Sequence, residues 1–282
     1  MNGLNELWNI IVAVILGLVE GLTEFAPVSS TGHMIIVDDL LLKSKEIFSE
    51  PVANTFKVVI QLGSILAVVI LFKDRFLNIL GLKKEINGVR KKGHRLSLVQ
   101  IIIGLLPAGV LGVLFEDYID EYLFTIHTVV YALIAGAVLM IVADFVQRRR
   151  KHTAIDTVDK ITNTQAFLIG LFQCIALWPG FSRSGSTISG GVLLGLSHRT
   201  AADFTFIMAV PIMAGASFIS LLKNWQYITM DALPFFIAGF ISAFVFAVIS
   251  IRFFLKLIDK IKLLPFAIYR IILAIILIVV FL

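Results

Sequence analysis

Apolar residues along this chain do not alternate with polar ones; they run in blocks, at 58–72, 101–115, 129–143 and 271–282 among others. Blocks of about 20 mostly apolar residues match the hydrocarbon thickness of a bilayer. A chain inside lipid must satisfy its own backbone groups, and a helix does so within one segment. The pattern predicts six spanning helices, at about 55–72, 97–115, 126–146, 203–222, 232–255 and 265–282. Two more apolar segments, 8–42 and 165–197, are each broken near the centre by Pro and Gly. Each is long enough for two short helices and is expected to form a re-entrant hairpin. The fold class expected is therefore an all-α integral membrane protein, one polytopic domain over 1–282.

The two broken segments align without a gap. Gly17-Leu18-Val19-Glu20-Gly21-Leu22-Thr23-Glu24-Phe25-Ala26-Pro27-Val28-Ser29-Ser30-Thr31-Gly32-His33 sets above the run from Gly170 to Ser186. Gly17, Leu18, Ser29 and Gly32 recur as Gly170, Leu171, Ser182 and Gly185, while Glu20 pairs with Gln173, Phe25 with Trp178 and Thr31 with Ser184. Three apolar blocks follow each copy, so the chain reads as a duplication, with repeat 1 at about 1–146 and repeat 2 at about 161–282.

Charge sets the orientation. The segment 73–95 carries eight Lys/Arg against two acids, 147–160 five against two, and 256–262 is also net basic, whereas 116–121 holds four acids and no base. Short basic loops face the cytoplasm. The six spans then place the three basic segments inside and the acidic one outside, with both termini external. Three crossings separate equivalent points, so the repeats are expected to be inverted, with the hairpins entering from opposite sides. In such architectures broken helices meet near the midplane at a functional site.

Composition sharpens this reading. The chain is 59% hydrophobic and 15% charged, where a soluble domain is about half apolar and about a quarter charged. The net charge of +5 lies in short loops and reads as a topology signal, so no nucleic-acid partner is expected. One cysteine, Cys174, excludes an intramolecular disulfide and a thiolate metal cluster. The first apolar block lacks a basic lead-in and a small-residue cleavage site, so a removable signal peptide is not expected.

The tips of the broken segments carry the candidate chemistry. Glu20 and Glu24, at i and i+4, share one helix face. Carboxylates in an apolar run need a partner, a proton or a cation, and hard cations such as Mg²⁺ or Ca²⁺ take such oxygens together with substrate phosphates. Ser29, Ser30 and Thr31 precede His33, the one histidine of this segment. One hydroxyl is accounted for by capping; beyond that, a hydroxyl nucleophile needs a base within reach, and histidine is the commonest. The second tip, Pro179-Gly180-Phe181-Ser182-Arg183-Ser184-Gly185-Ser186-Thr187, combines turn-forming glycine, hydroxyls and a helix start. Free N–H groups at that start favour an anion, and the Arg183 fork matches phosphate oxygens. Snorkelling of Arg183 to headgroups is the bland alternative, weakened by its place at a hairpin tip. Carboxylates and His on one tip, Arg and donors on the other, suit a diphosphate bound with its cation.

At these residues a resemblance becomes specific. The runs Glu20-Gly-Leu-Thr-Glu24-Phe-Ala-Pro-Val-Ser-Ser-Thr-Gly-His33 and Pro179-Gly-Phe-Ser-Arg-Ser-Gly-Ser-Thr187 resemble the two signature motifs of the undecaprenyl-diphosphatase family, the bacitracin-resistance proteins. Gln61-Leu-Gly-Ser64 and Pro265-Phe-Ala-Ile-Tyr-Arg270 extend it over nearly the whole chain. The resemblance implies hydrolysis of undecaprenyl diphosphate to the monophosphate and inorganic phosphate, recycling the carrier lipid of cell-wall synthesis. It also implies a divalent cation (Mg²⁺ or Ca²⁺) and a site open to the outer face of the plasma membrane. Glu20, Glu24, Ser30, His33 and Arg183 inherit catalytic roles by motif match, Glu20 and Glu24 through the metal. Ser29, Thr31, Ser182, Ser184, Gly185 and Thr187 are the expected substrate contacts. The nucleophile stays open between Ser30 with His33 as base, His33 itself, and an activated water, and so does a homodimer. The rival class is a transporter or lipid flippase, for which inverted repeats and broken helices also speak; the chemical asymmetry of the tips favours an enzyme.

Overall fold

The computed structural model describes residues 3–82, 95–150 and 153–282. Part of the basic segment 73–95, at 83–94, lies outside the described residues, as do 151–152. The described residues form helices α1 (Gly3–Thr23), α2 (Ser30–Met34), α3 (Ser44–Ile47), α4 (Glu50–Leu71), α5 (Lys73–Ile79), α6 (Leu98–Leu114) and α7 (Glu116–Tyr122). They continue as α8 (Ile126–Arg149), α9 (Asn163–Ile175), α10 (Arg183–Leu193), α11 (His198–Asn224), α12 (Leu233–Ile261) and α13 (Leu264–Phe281). Extended pairing among them is confined to one isolated bridge, Ile155 with Leu196.

Local chemistry sets the helix starts. The Thr162 and Ser197 hydroxyls accept from the amides of Gln165 (3.2 Å) and Thr200 (3.1 Å), capping α9 and α11. Pro51, Pro234 and Pro265 occupy first-turn positions of α4, α12 and α13, where the missing N–H costs nothing.

Six helices are long and apolar enough to cross a membrane: Asn5–Thr23, Glu50–Leu71, Ile126–Arg149, His198–Tyr227, Leu233–Ile261 and Leu264–Phe281. Five coincide with expected spans. The sixth is α1, read from sequence as the short arm of a hairpin. Glu20 does not interrupt α1; the helix ends after Thr23, ahead of Pro27. The expected span at 97–115 is α6, an apolar helix of 17 residues that stops at the acidic start of α7.

Ion pairs mark the two ends of the bundle. At one, Arg75 pairs with Asp159 at 3.0 Å and Arg199 donates to the Leu255 carbonyl at 2.6 Å. At the other, Lys223 reaches Glu116 at 3.3 Å. Between them α1 lies against α12, and α9 against α6, at glycine contacts. A Cβ on Gly17 would strike the Gly239 carbonyl, and one on Gly170 the Gly104 carbonyl.

A feature the pattern did not foretell follows α2. Residues Ile35–Leu42 form a π-helix that ends on Lys43 in the left-handed region, φ 51°. Asp38 within it is fully buried and accepts from the Ser44 amide (2.9 Å), the Ser44 hydroxyl (3.0 Å) and Lys57 of α4 (2.9 Å). Extra residues per turn let the segment change direction, and the buried carboxylate pins the new course to α4.

Candidate functional site

Both interrupted segments are built alike at their tips. An apolar helix stops, the chain turns, and the next helix starts from a serine with positive φ: Ser29 at 73° and Ser182 at 72°. That backbone is uncommon for a residue with a side chain and costs on the order of 1–3 kcal/mol unless its surroundings impose it. Each hydroxyl supplies a reason to keep serine. Ser29 Oγ accepts from the Gly32 amide at 3.3 Å, and Ser182 Oγ from the Gly185 amide at 3.1 Å. Gly180 opens the second turn at φ 92°, and a Cβ there would press on Val129.

The tips touch. Arg183 Nη2 donates to Glu24 Oε1 at 3.0 Å, and the other Glu24 oxygen accepts from Ser30 Oγ at 2.7 Å. Ser184 Oγ donates to the Ala26 carbonyl at 3.0 Å. The side chains of Arg183 and Glu24 are 14% and 9% exposed, so their ion pair is far less screened than a surface one. Between the tips lies a cavity of about 280 Å³, lined by Glu24, Ser29, Ser30, Thr31, Ser182 and Arg183 and walled by Gln61 of α4 and Gln173 of α9. The first-turn amides of Arg183 and Ser184 have no intrahelical acceptor, as at any helix start.

Ser184, Gly185 and Thr187, expected as substrate contacts, sit behind this cavity. Ser184 ties the two tips, the Gly185 amide is used by Ser182, and Thr187 donates to the Arg183 carbonyl at 2.8 Å while accepting from Thr205 at 2.9 Å. They hold Arg183 in place. Arg270, fully buried, props the same tip from the far side, donating to the carbonyls of Gly180 (3.0 Å) and Ala132 (3.2 Å).

His33 is placed differently from the Ser30–His33 dyad that the sequence allows. Its Nδ1 lies 2.7 Å from the Ser29 carbonyl, which can only accept, so the proton is on Nδ1. Nε2 then accepts from the Tyr269 hydroxyl at 2.6 Å. Both ring nitrogens are thus engaged, and the partner of Ser30 is Glu24. His33 and Tyr269 line a separate apolar groove of about 430 Å³ with Phe253, Phe254 and Phe266. Tyr269, the partner of His33, is not among the residues that the sequence singles out, although it belongs to the Pro265–Arg270 run.

Glu20, one turn before Glu24 on α1, is 6% exposed, and its carboxylate takes part in no hydrogen bond among the described residues. The two carboxylates are hard oxygen donors of the kind Mg²⁺ or Ca²⁺ takes. No group of three or more His, Cys, Asp or Glu able to hold a metal occurs among the described residues. Glu24 lines the cavity with both oxygens engaged, by Ser30 and Arg183, while Glu20 stands one turn behind it outside the lining, so a cation here would draw most of its shell from water and phosphate oxygens, as Mg²⁺ does.

The fold and this cavity define a multi-pass, all-helical membrane protein whose buried polar site offers an arginine fork, hydroxyls and a carboxylate to an anionic group. Over residues 13–276 the chain matches the family described as bacitracin resistance protein BacA, and it belongs to that family. It is 67% identical over 274 residues to undecaprenyl-diphosphatase of Bacillus subtilis (strain 168), spanning 97% of this chain and 99% of that one. It is 70% identical over 262 residues to undecaprenyl-diphosphatase of Geobacillus thermodenitrificans (strain NG80-2), at 93% and 94% coverage. To undecaprenyl-diphosphatase 2 of Shouchella clausii (strain KSM-K16) it is 60% identical over 276 residues, at 98% and 99% coverage.

Proposed function

We propose that the protein hydrolyses undecaprenyl diphosphate to the monophosphate and inorganic phosphate, and that its site lies in the cavity between the two tips. One observation carries this reading: Glu24 bridges Ser30 and Arg183 in one buried cavity, at 2.7 and 3.0 Å. A hydroxyl already donating to a carboxylate is poised to lose its proton to it. Ser30 Oγ attacks the terminal phosphorus, its proton passes to Glu24, and the bond from phosphorus to the bridging oxygen breaks. The lipid monophosphate leaves with that electron pair. Water then cleaves the phosphoserine, releasing inorganic phosphate. Arg183 and the first-turn amides of α10 bear the charge on the phosphoryl oxygens. Glu20 and Glu24 would hold a divalent cation, which would supply charge neutralisation to the diphosphate. His33 and Tyr269 hold the first tip through the Ser29 carbonyl, one residue from Ser30.

The re-entrant, inverted arrangement is supported by the matched left-handed caps at Ser29 and Ser182 and by the matched glycine contacts of α1 on α12 and α9 on α6. Opening to the extracytoplasmic side of the plasma membrane is supported by the lining residues Ala108, Met213 and Ala216, which lie in the halves of α6 and α11 nearer the Lys223–Glu116 end. By this reading the enzyme regenerates carrier lipid for cell-wall synthesis and confers bacitracin resistance. A homodimer would pair apolar outer faces, and cross-linking in membranes tests it. Phosphate release by purified protein in detergent tests the main proposal. Lack of release from undecaprenyl diphosphate by wild type with Mg²⁺ or Ca²⁺ present would overturn it.

A further inference from the structure

Of the side chains lining the cavity between the tips, two carry buried polar atoms with no hydrogen-bond partner. They are Arg183, through Nη1, and Gln173, through both the amide nitrogen and the amide oxygen. Gln173 stands in the last turn of α9 and is 3% exposed. An amide taken out of water and left unbonded costs free energy that a folded protein recovers only from a ligand or ordered water. Its partner, then, comes from whatever occupies the cavity.

The charge of the lining tells which kind of contact this is. One guanidinium, Arg183, faces one carboxylate, Glu24, and the two already pair. A diphosphate brings more negative charge into that balance than one divalent cation cancels, so neutral donors share the remainder. Two of the hydroxyl protons are committed: Ser30 donates to Glu24, and Ser182, which accepts from the Gly185 amide, has Ser184 Oγ at 3.2 Å as its acceptor, since the Ser184 proton goes to the Ala26 carbonyl. The Gln173 NH₂ group is an uncommitted pair of donors at the same wall. In the aligned repeats Gln173 occupies the place of Glu20. Where the first segment has a carboxylate suited to a cation, the second has its neutral isostere, able to donate.

We infer that Gln173 is a substrate-binding residue whose side-chain NH₂ donates to phosphoryl oxygens of the diphosphate beside Arg183. This deepens the proposed phosphatase reading and rests on it. The assignment separates the walls by chemistry: the α1 wall serves the cation and the α9 wall the anion.

The test uses purified full-length protein in detergent, with Gln173→Met and Gln173→Glu beside wild type. Met keeps the volume and removes both polar groups; Glu keeps the shape and an acceptor but removes the donors and adds charge. Phosphate release over a range of undecaprenyl diphosphate concentrations gives kcat and KM, and inorganic pyrophosphate as competing ligand gives an inhibition constant. A donor to a charged oxygen predicts a loss of about 10- to 100-fold in kcat/KM for Gln173→Met, with weaker pyrophosphate inhibition to match. Gln173→Glu should lose at least as much, because it places a second carboxylate on the cavity. Monodisperse elution and unchanged thermal unfolding of either variant establish that the fold is kept. Wild-type turnover together with a Gln173→Met variant within twofold of it in both readouts overturns the assignment and leaves the phosphatase intact. A Gln173→Glu variant more active than Gln173→Met overturns it too, by showing that the group is needed as an acceptor. Wild type that releases no phosphate sinks the phosphatase reading; if pyrophosphate, followed by calorimetry, still binds Gln173→Met more weakly than wild type, the donor role survives that loss, and equal binding overturns it.

Discussion

Glu24→Gln removes one charge from the centre of the site and little else. In the wild type one Glu24 oxygen accepts from Ser30 at 2.7 Å and the other from Arg183 at 3.0 Å. The amide presents one oxygen and one NH₂. If its oxygen stays with Arg183, its NH₂ meets Ser30 and cannot take that proton. Loss of a positioned base costs about 10²–10⁴ in rate, so kcat should fall into that range. Stability should fall far less. The Arg183 guanidinium, 14% exposed, loses its counter-charge but keeps an acceptor at the mouth of a wettable cavity, which sets the cost at about 1–3 kcal/mol. A second change, Glu24→Gln with Arg183→Gln, removes the orphaned cation and should recover most of that stability while restoring no turnover. Phosphate release and thermal unfolding, measured on the same detergent preparations, separate the two effects. Turnover of Glu24→Gln within tenfold of wild type would refute Glu24 as the base and return the choice to Ser30 with His33 as base, His33 itself, or an activated water.

Other outcomes follow from the same geometry. Arg183→Ala should nearly abolish turnover, and Arg183→Lys should recover a small part, since lysine keeps the charge without the fork; normal hydrolysis by Arg183→Ala would restore the snorkelling reading. Tyr269→Phe takes the hydroxyl from His33 Nε2 and should lower kcat by about 3- to 10-fold, with binding of a non-hydrolysable diphosphate lipid unchanged; no change in kcat would detach the pair from the reaction. Excess chelator should silence the wild type and added Mg²⁺ or Ca²⁺ should revive it, whereas full activity in chelator would remove the metal from Glu20 and Glu24. In whole cells an impermeant thiol reagent should label a cysteine placed near Asp117 and spare one near Arg149; the opposite pattern would invert the orientation.

Much of this was legible because lipid enforces it. Long apolar blocks leave a chain little choice but helix, and five expected spans fall on observed membrane-length helices, which extend past them by as much as about a turn and a half at an end. The ungapped match of the two interrupted segments carried through to geometry, since Ser29 and Ser182, identical in the alignment, share a backbone conformation with φ of 73° and 72°. Length was harder to read. Segment 8–42 reads as two short helices around a central break, yet its first helix α1 runs the length of a span, from Gly3 to Thr23. Pairing across the fold was not legible. That Ser30 meets Glu24, that His33 meets Tyr269, far along the chain, and that Asp38 meets Lys57 depend on helix rotation and on a π-helical detour. Local sequence does not specify these.

The ion pair that closes the site joins residues 159 positions apart in the chain. At about 5–20 residues per second, a ribosome needs on the order of ten to thirty seconds to go from one partner to the other. The Ser242 hydroxyl that donates to the Val14 carbonyl arrives later still, 228 positions on. The first helix therefore enters the bilayer with two carboxylates and no guanidinium to meet them. In that interval Glu20 and Glu24 must stay neutral by holding protons or stay near water. Assembly of this cavity is thus a late event of biogenesis, and the N-terminal half must be tolerated by the insertion machinery with its acids unanswered.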